Sequence, residues 1–372
     1  MEPFTIEIPD RVLDDLRQRL TNTRWPDDPT GDPWAQGTDP AYLKRVVERW
    51  AGGYDWRAAE RGLNAYPQYR TDLDGATVHF VHVTTGGIPL LLTHGWPSTF
   101  AEYLPLVPLL TDPGAHGLDG PAFDLVIPSL PGYGFSPRPP EPVTYRDVAR
   151  RWHLLMRELG YDRFGAGGGD FGAGVTTYMA LADPAPLLGI HLTTPEIAPH
   201  RHPHRSPAEQ EYEDTVAAWD AVERGYSAIQ STRPQTLGYA LNDSPAGLAA
   251  WLVEKWRSWT DSGGDPLARF GDHLLTTLTI YWVTGTITSS MRDYYDNRRS
   301  GDGIGPTDRV TVPTAFAGFG HHFVPEGEPP REWLERLYDV RRYTTMPRGG
   351  HFGPAEEPRL LAADLQAFFG NL

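Results

Sequence analysis

The run Gly167-Gly168-Gly169-Asp170-Phe171-Gly172-Ala173-Gly174 lies between a strand-like segment, 164–168, and a helix-like one, 172–181. Small residues on both sides of one reactive side chain permit a tight strand-to-helix turn, and such a turn holds a nucleophile on strained backbone. The reactive side chain here is Asp170 rather than a serine. A carboxylate in that place attacks saturated carbon and leaves an ester on the protein. The same letters, Gly167 to Gly172, also satisfy G-x-G-x-x-G, the mark of a dinucleotide site. The motif comes late in the chain for that use, and two further signals favour the nucleophile.

The first is His94-Gly95-Trp96-Pro97, directly after the apolar run 89–93. Backbone N–H groups of Trp96 and Phe171 would together form an oxyanion hole. A cis peptide before Pro97 would help aim this loop. The second is Gly349-Gly350-His351-Phe352, after the last strand-like segment. A lone histidine is more often structural. A histidine in a glycine-rich loop near the chain end, downstream of nucleophile and oxyanion loop, reads as a general base. Ser98, Ser129 and Ser136 lie in the wrong contexts for a serine esterase. Residues 199–205 carry three histidines interleaved with arginine and no matching acidic or Cys ligand, so they read as a solvated loop and not a metal site. Arg298-Arg299 and Arg341-Arg342 read as solvated faces.

These residues need a scaffold. Residues 78–83, 89–94, 124–128, 164–168 and 189–193 read as strands, and 145–159 and 172–181 as helices; alternation of this kind implies an α/β fold with a mostly parallel sheet. Residues 310–316 and 342–346 resume the strand texture, and a closing helix runs to Phe369. Between them lies a helical, aromatic-rich segment, so an insertion interrupts one core. The N-terminal stretch reads as helices, the first with Asp10 as N-cap and an apolar face of Val12, Leu13, Leu16 and Leu20. Its Trp25, Trp34, Trp50 and Trp56 suggest that it lies over its neighbours. The expected organisation is 1–74, an N-terminal meander on core and lid; 75–195, the first part of the core; 196–305, a helical lid; and 306–372, the rest of the core.

The 372 residues include 33 basic and 48 acidic side chains, a net charge of −15. Such a chain repels phosphate backbones and anionic membrane surfaces, so neither nucleic acid nor membrane is an expected partner. It has no Cys, which excludes disulfides, thiolate metal sites and a Cys nucleophile. No signal peptide or membrane-length apolar run is visible, so a cytoplasmic location is expected.

Taken together, these motifs resemble the microsomal-type epoxide hydrolases with an N-terminal meander, of the α/β-hydrolase superfamily. Phe4-Thr5-Ile6-Glu7-Ile8-Pro9, Thr23-Arg24-Trp25-Pro26 and Ser129-Leu130-Pro131-Gly132-Tyr133-Gly134-Phe135-Ser136 extend the resemblance over nearly the whole chain. The composition resembles that of bacterial members in enediyne antibiotic pathways. The resemblance implies cofactor-free hydrolysis of an epoxide to a vicinal diol, in detoxification or secondary metabolism, through an Asp170 ester that water activated by His351 hydrolyses. It implies two lid tyrosines as proton donors, Tyr226 and Tyr294 by motif, with Tyr239, Tyr281 and Tyr295 as competitors. An acid should orient His351. The family's position for it holds His322 here, with Glu326 and Glu328 just beyond; Glu326 is preferred, and Glu196 is a further candidate. The lid tryptophans Trp219, Trp251, Trp256 and Trp282 suggest a bulky apolar or aromatic epoxide. A homodimer is compatible with all this. The alternatives are an Asp-nucleophile dehalogenase, with Trp96 serving a halide, and a catalytically silent binder of an aromatic ligand.

Overall fold

The computed structural model describes residues 1–195, 198–199, 204–301, 303–320 and 328–372. Nine strands are described: β1 (Glu2–Phe4), β2 (Gln68–Leu73), β3 (Ala76–Val83), β4 (Ile88–Thr93), β5 (Phe123–Pro128), β6 (Phe164–Asp170), β7 (Leu187–Pro195), β8 (Val310–Phe319) and β9 (Tyr338–Met346). They form one sheet in the order β1-β2-β3-β5-β4-β6-β7-β8-β9. Strands β5, β4, β6, β7, β8 and β9 run parallel, and β1, β2 and β3 continue the sheet antiparallel. The parallel strands are apolar because helices cover both faces. Every residue of β5 is buried, and Leu90, Leu91 and Leu92 of β4 face the same cores.

Two strands were not visible in the sequence. β1 and β2 fall in the stretch that reads as helical. Gln68-Tyr69-Arg70-Thr71-Asp72-Leu73 has no apolar run, because this antiparallel end buries only part of each strand. Asp10 is also not a cap: it opens the helix Asp10–Thr21 as a first-turn residue after Pro9, and its carboxylate pairs with Arg57 at 2.5 Å.

Between β7 and β8 the described residues form the helices Pro207–Glu223, Gly225–Gln230, Pro234–Leu241, Pro245–Trp259, Pro266–Phe270, Asp272–Thr284 and Ile287–Arg299. The N-terminal segment grips them. Trp50 Nε1 donates to Thr279 Oγ1 at 2.8 Å, Tyr42 OH to Asp265 Oδ1 at 2.9 Å, and Thr38 Oγ1 to the Ala250 carbonyl at 2.7 Å. Arg257 lies over the Trp34 ring at 4.1 Å. Buried Trp50 and Tyr42 thus belong to the same apolar cluster as Leu274, Leu275 and Leu278 of the insertion.

Candidate active site

Strand β6 ends at Asp170, and the helix Phe171–Ala182 begins at the next residue. Asp170 makes that turn with φ 53° and ψ −131°. A positive φ in a non-glycine residue costs about 1–3 kcal/mol and persists only when the surroundings over-determine it. Here the Asp170 N–H donates to Thr194 Oγ1 of β7 at 2.8 Å. Glycines let the chains close around it: a Cβ on Gly172 would lie 1.9 Å from the Thr93 carbonyl oxygen, and one on Gly95 would lie 2.3 Å from Asp170 Oδ1.

The Trp96 N–H donates to Asp170 Oδ1 at 2.8 Å, and the Phe171 N–H also bonds the carboxylate. The two donors read from the sequence therefore converge on this side chain. The Trp96–Pro97 peptide is cis. Burial raises the Asp170 pKa from 3.8 to about 6, against the pull of the two N–H groups; the buried Asp293 adds to the rise.

His351 Nε2 lies 3.6 Å from Asp170 Oδ2. Burial pushes the His351 pKa down from 6.5 to about 3, which keeps the imidazole neutral and able to accept a proton. The loop around it is clamped. The His351 N–H donates to the Trp259 carbonyl at 2.8 Å. Glu356 accepts the Phe352 N–H at 3.1 Å and also the Gly350 N–H, one on each side of His351. Its Oε2 accepts the Asp261 N–H at 2.8 Å, and Asp261 in turn accepts the Gly349 N–H at 3.2 Å.

Two tyrosines of the inserted helices stand beside this centre. The Tyr226 ring stacks on Trp96 with centroids 5.5 Å apart and planes at 8°. Tyr294 meets Trp96 at 5.7 Å and Phe171 at 4.7 Å, both edge to face, and lies 6.0 Å from Tyr226. The competitors are engaged elsewhere: Tyr281 OH donates to the Ser98 carbonyl at 2.9 Å, Tyr295 lies beneath Arg299 at 3.6 Å, and Tyr239 is 74% exposed.

Comparison with known proteins follows the same line. Residues 1–103 match the family described as epoxide hydrolase N terminus, and residues 88–237 match the alpha/beta hydrolase fold. The whole chain is 44% identical to a "Putative epoxide hydrolase" of Stigmatella aurantiaca, over 85% of that protein, and 36% identical to "Epoxide hydrolase 1" of Sus scrofa, over 89% of it. The chain belongs to the epoxide hydrolase family. Among solved structures, the juvenile hormone epoxide hydrolase of the silkworm Bombyx mori superposes with a TM-score of 0.88 at 28% identity, covering 100% of this chain and 94% of that one. The Aspergillus niger epoxide hydrolase gives 0.85 at 30% identity, covering 99% and 95%. This protein is an epoxide hydrolase with the α/β-hydrolase fold.

Several supports of the epoxide hydrolase site escaped the sequence reading. Arg138 donates to the Ser289 carbonyl at 2.9 Å and to Asp293 at 2.8 Å, and it pairs with Asp296, which fixes the Ile287–Arg299 helix that carries Tyr294. Arg299 donates to the Ser231 carbonyl at 2.7 Å and Arg298 to Ser231 Oγ at 3.1 Å. The pair read as a solvated face is exposed and also braces the end of the Tyr226 helix. Tryptophans read as substrate contacts are spoken for: Trp256 stacks on Phe352 at 4.2 Å and Trp251 donates to Gln230 at 3.0 Å. Trp282 carries Arg19 at 5.7 Å on its ring. Trp259, outside that group of four, packs against both Tyr226 and His351. Of the acids considered for His351, Glu326 and Glu196 lie outside the described residues, as does His322. Glu328 is half-buried; burial raises the Tyr343 pKa, and the Glu328 charge adds to the rise.

Proposed function

We propose that Asp170 opens the epoxide as a nucleophile and that His351 drives hydrolysis of the resulting ester. One arrangement carries this reading: the Asp170 carboxylate is gripped through Oδ1 by the oxyanion donor Trp96, with His351 Nε2 3.6 Å from Oδ2 and the Tyr226–Tyr294 pair alongside. Oδ2 attacks an epoxide carbon and the C–O bond of the ring breaks. Tyr226 or Tyr294 gives its phenolic proton to the leaving oxygen. His351 then takes a proton from water, and hydroxide adds to the Asp170 carboxyl carbon. Trp96 and Phe171 N–H groups stabilise the oxyanion that forms on Oδ1. Collapse releases the second diol oxygen, protonated by His351, and the carboxylic acid returns its proton to the tyrosinate. Glu326 is the proposed acid that orients His351. Trp96, Trp259, Phe171, Tyr226 and Tyr294 form an aromatic wall suited to a bulky apolar or aromatic epoxide.

The test is a single turnover of styrene oxide in ¹⁸O-water with enzyme in excess. The diol should contain no label at the attacked carbon, and label should remain in the Asp170 peptide. Diol labelled directly from water would remove Asp170 from the nucleophile's role.

A further inference from the structure

The chain contains two lysines, Lys44 and Lys255, and carries all its other fixed positive side chains as arginine. Lys44 is only half-buried, with its ammonium over the exposed Trp25 ring. Lys255 does the opposite: it is 3% exposed, within the helix Pro245–Trp259. Lysine is almost never so buried unless paired. Its ammonium bonds Glu254 Oε1 at 2.8 Å, and Glu254 is 28% exposed on its side chain. The same ammonium lies 4.5 Å from the centroid of the Tyr226 ring and 5.9 Å from that of Trp259. Taking a cation out of water to set it against two aromatic rings is costly if packing is its whole purpose; an apolar side chain would fill the space at less cost.

We propose that Lys255 is a positioning residue that acts through Tyr226, stabilising the negative charge the phenol acquires as it protonates the epoxide oxygen. The proposal rests on Tyr226 being a proton donor, as read above. In the ground state the ammonium meets a neutral ring and is attracted only by its quadrupole. When the O–H bond breaks, the proton passes to the epoxide oxygen and a full negative charge stays on the phenol, so the attraction becomes one between ions. An interaction that strengthens along the reaction path lowers the barrier, whereas one of constant strength does not. Glu254 offsets part of the field, but its contact with the ammonium is the same before and after transfer. The ammonium is a compact point charge, which a planar guanidinium is not, and this gives a reason for lysine in an arginine-rich chain.

The test separates the two half-reactions in single turnovers of the full-length enzyme with styrene oxide. Lys255→Met should slow ester formation roughly tenfold, through loss of the attraction between ions that develops only as the phenolate forms, and leave ester hydrolysis within about twofold. In a Tyr226→Phe background the same substitution should cost nothing more in ester formation. A full tenfold loss in that background, or equal loss in both half-reactions, overturns the proposal. A second readout does not depend on the ester: tyrosinate absorbance titrated in the wild type minus Tyr226→Phe should move to higher pH when Lys255→Met is introduced into both proteins. No movement overturns the proposal. A wild type that makes diol without any ester refutes the Asp170 mechanism instead, and the titration still decides the role of Lys255.

Discussion

Replacing Asp170, the proposed nucleophile, should make the protein more stable. Asp170 has its pKa raised from 3.8 to about 6, mainly by burial. The folded state therefore holds that proton more tightly than the unfolded chain does. Below the unfolded value of 3.8 the carboxyl is neutral in both states and carries no penalty. As pH rises through about 6 the folded protein must ionise it at a cost, and above that the cost is complete. Two pKa units at 1.36 kcal/mol each give about 3 kcal/mol. Asp170→Asn removes the charge, keeps the shape, and leaves an amide oxygen to accept the Trp96 and Phe171 N–H groups. It should be inactive, more stable than wild type by about 3 kcal/mol at pH 8, and within about 0.6 kcal/mol of it near pH 4. Asp170→Gly also relieves the φ 53° backbone, worth about 1–3 kcal/mol before the extra chain entropy of glycine is subtracted. Urea unfolding of the three proteins at both pH values measures all of this. An Asp170→Asn variant no more stable than wild type at pH 8 would refute the claim that the Asp170 carboxylate is held at the expense of the fold.

Three other substitutions probe the supports. Gly172→Ala puts a methyl 1.9 Å from the Thr93 carbonyl oxygen, a backbone atom that cannot step aside, so it should destabilise by about 3 kcal/mol and abolish turnover; normal thermal stability would contradict the packing. Arg138→Ala leaves Asp293 and Asp296 buried without their cation, a loss of roughly 3–5 kcal/mol by denaturant titration. Because the Tyr294 helix is then loosened, ester formation should suffer more than ester hydrolysis in rapid-quench experiments. Glu356→Gln turns an amide NH₂ toward a buried N–H on one side of its clamp. It should slow hydrolysis selectively, so that the Asp170 ester accumulates and is seen by mass spectrometry; unchanged ester levels would show that the clamp does not position His351.

Some of this site was written in short stretches of sequence and some was not. Asp170, Trp96, Phe171 and His351 each sit in a glycine-rich turn at the carboxyl end of a parallel strand, where close backbone approach leaves a local mark that Gly95 and Gly172 record. Tyr226 and Tyr294 carry no such mark: they stand in ordinary amphipathic helices, and resemblance to a family selected them from among Tyr239, Tyr281 and Tyr295. Arg138 and Glu356 were invisible because their partners Asp293 and Asp261 lie far along the chain, and Lys255 because it meets Tyr226 only over a ring face. Nothing about Arg138 in sequence announces a partner at Asp293. The tryptophans misled for a related reason. Their number in the insertion is real, but a tryptophan holding helices together and one lining a cavity have the same spacing, and Trp256 belongs to the first kind while Trp259 touches both Tyr226 and His351.

The helix Pro245–Trp259 ties these supports together. Its last turn accepts the His351 N–H through the Trp259 carbonyl, and the residues just beyond it exchange hydrogen bonds with the His351 loop through Asp261, Gly349 and Glu356. One turn earlier the same helix sets the Lys255 ammonium against Tyr226. Tyr226 and His351, the proposed proton donor in ring opening and the proposed base in ester hydrolysis, are therefore referenced to one rigid element rather than to the sheet alone. That element is itself held by the N-terminal segment, through Thr38 on the Ala250 carbonyl and Trp34 under Arg257. A site shared between strand ends and an inserted helix can keep its distances only if the insertion cannot slide, and the N-terminal segment supplies that restraint.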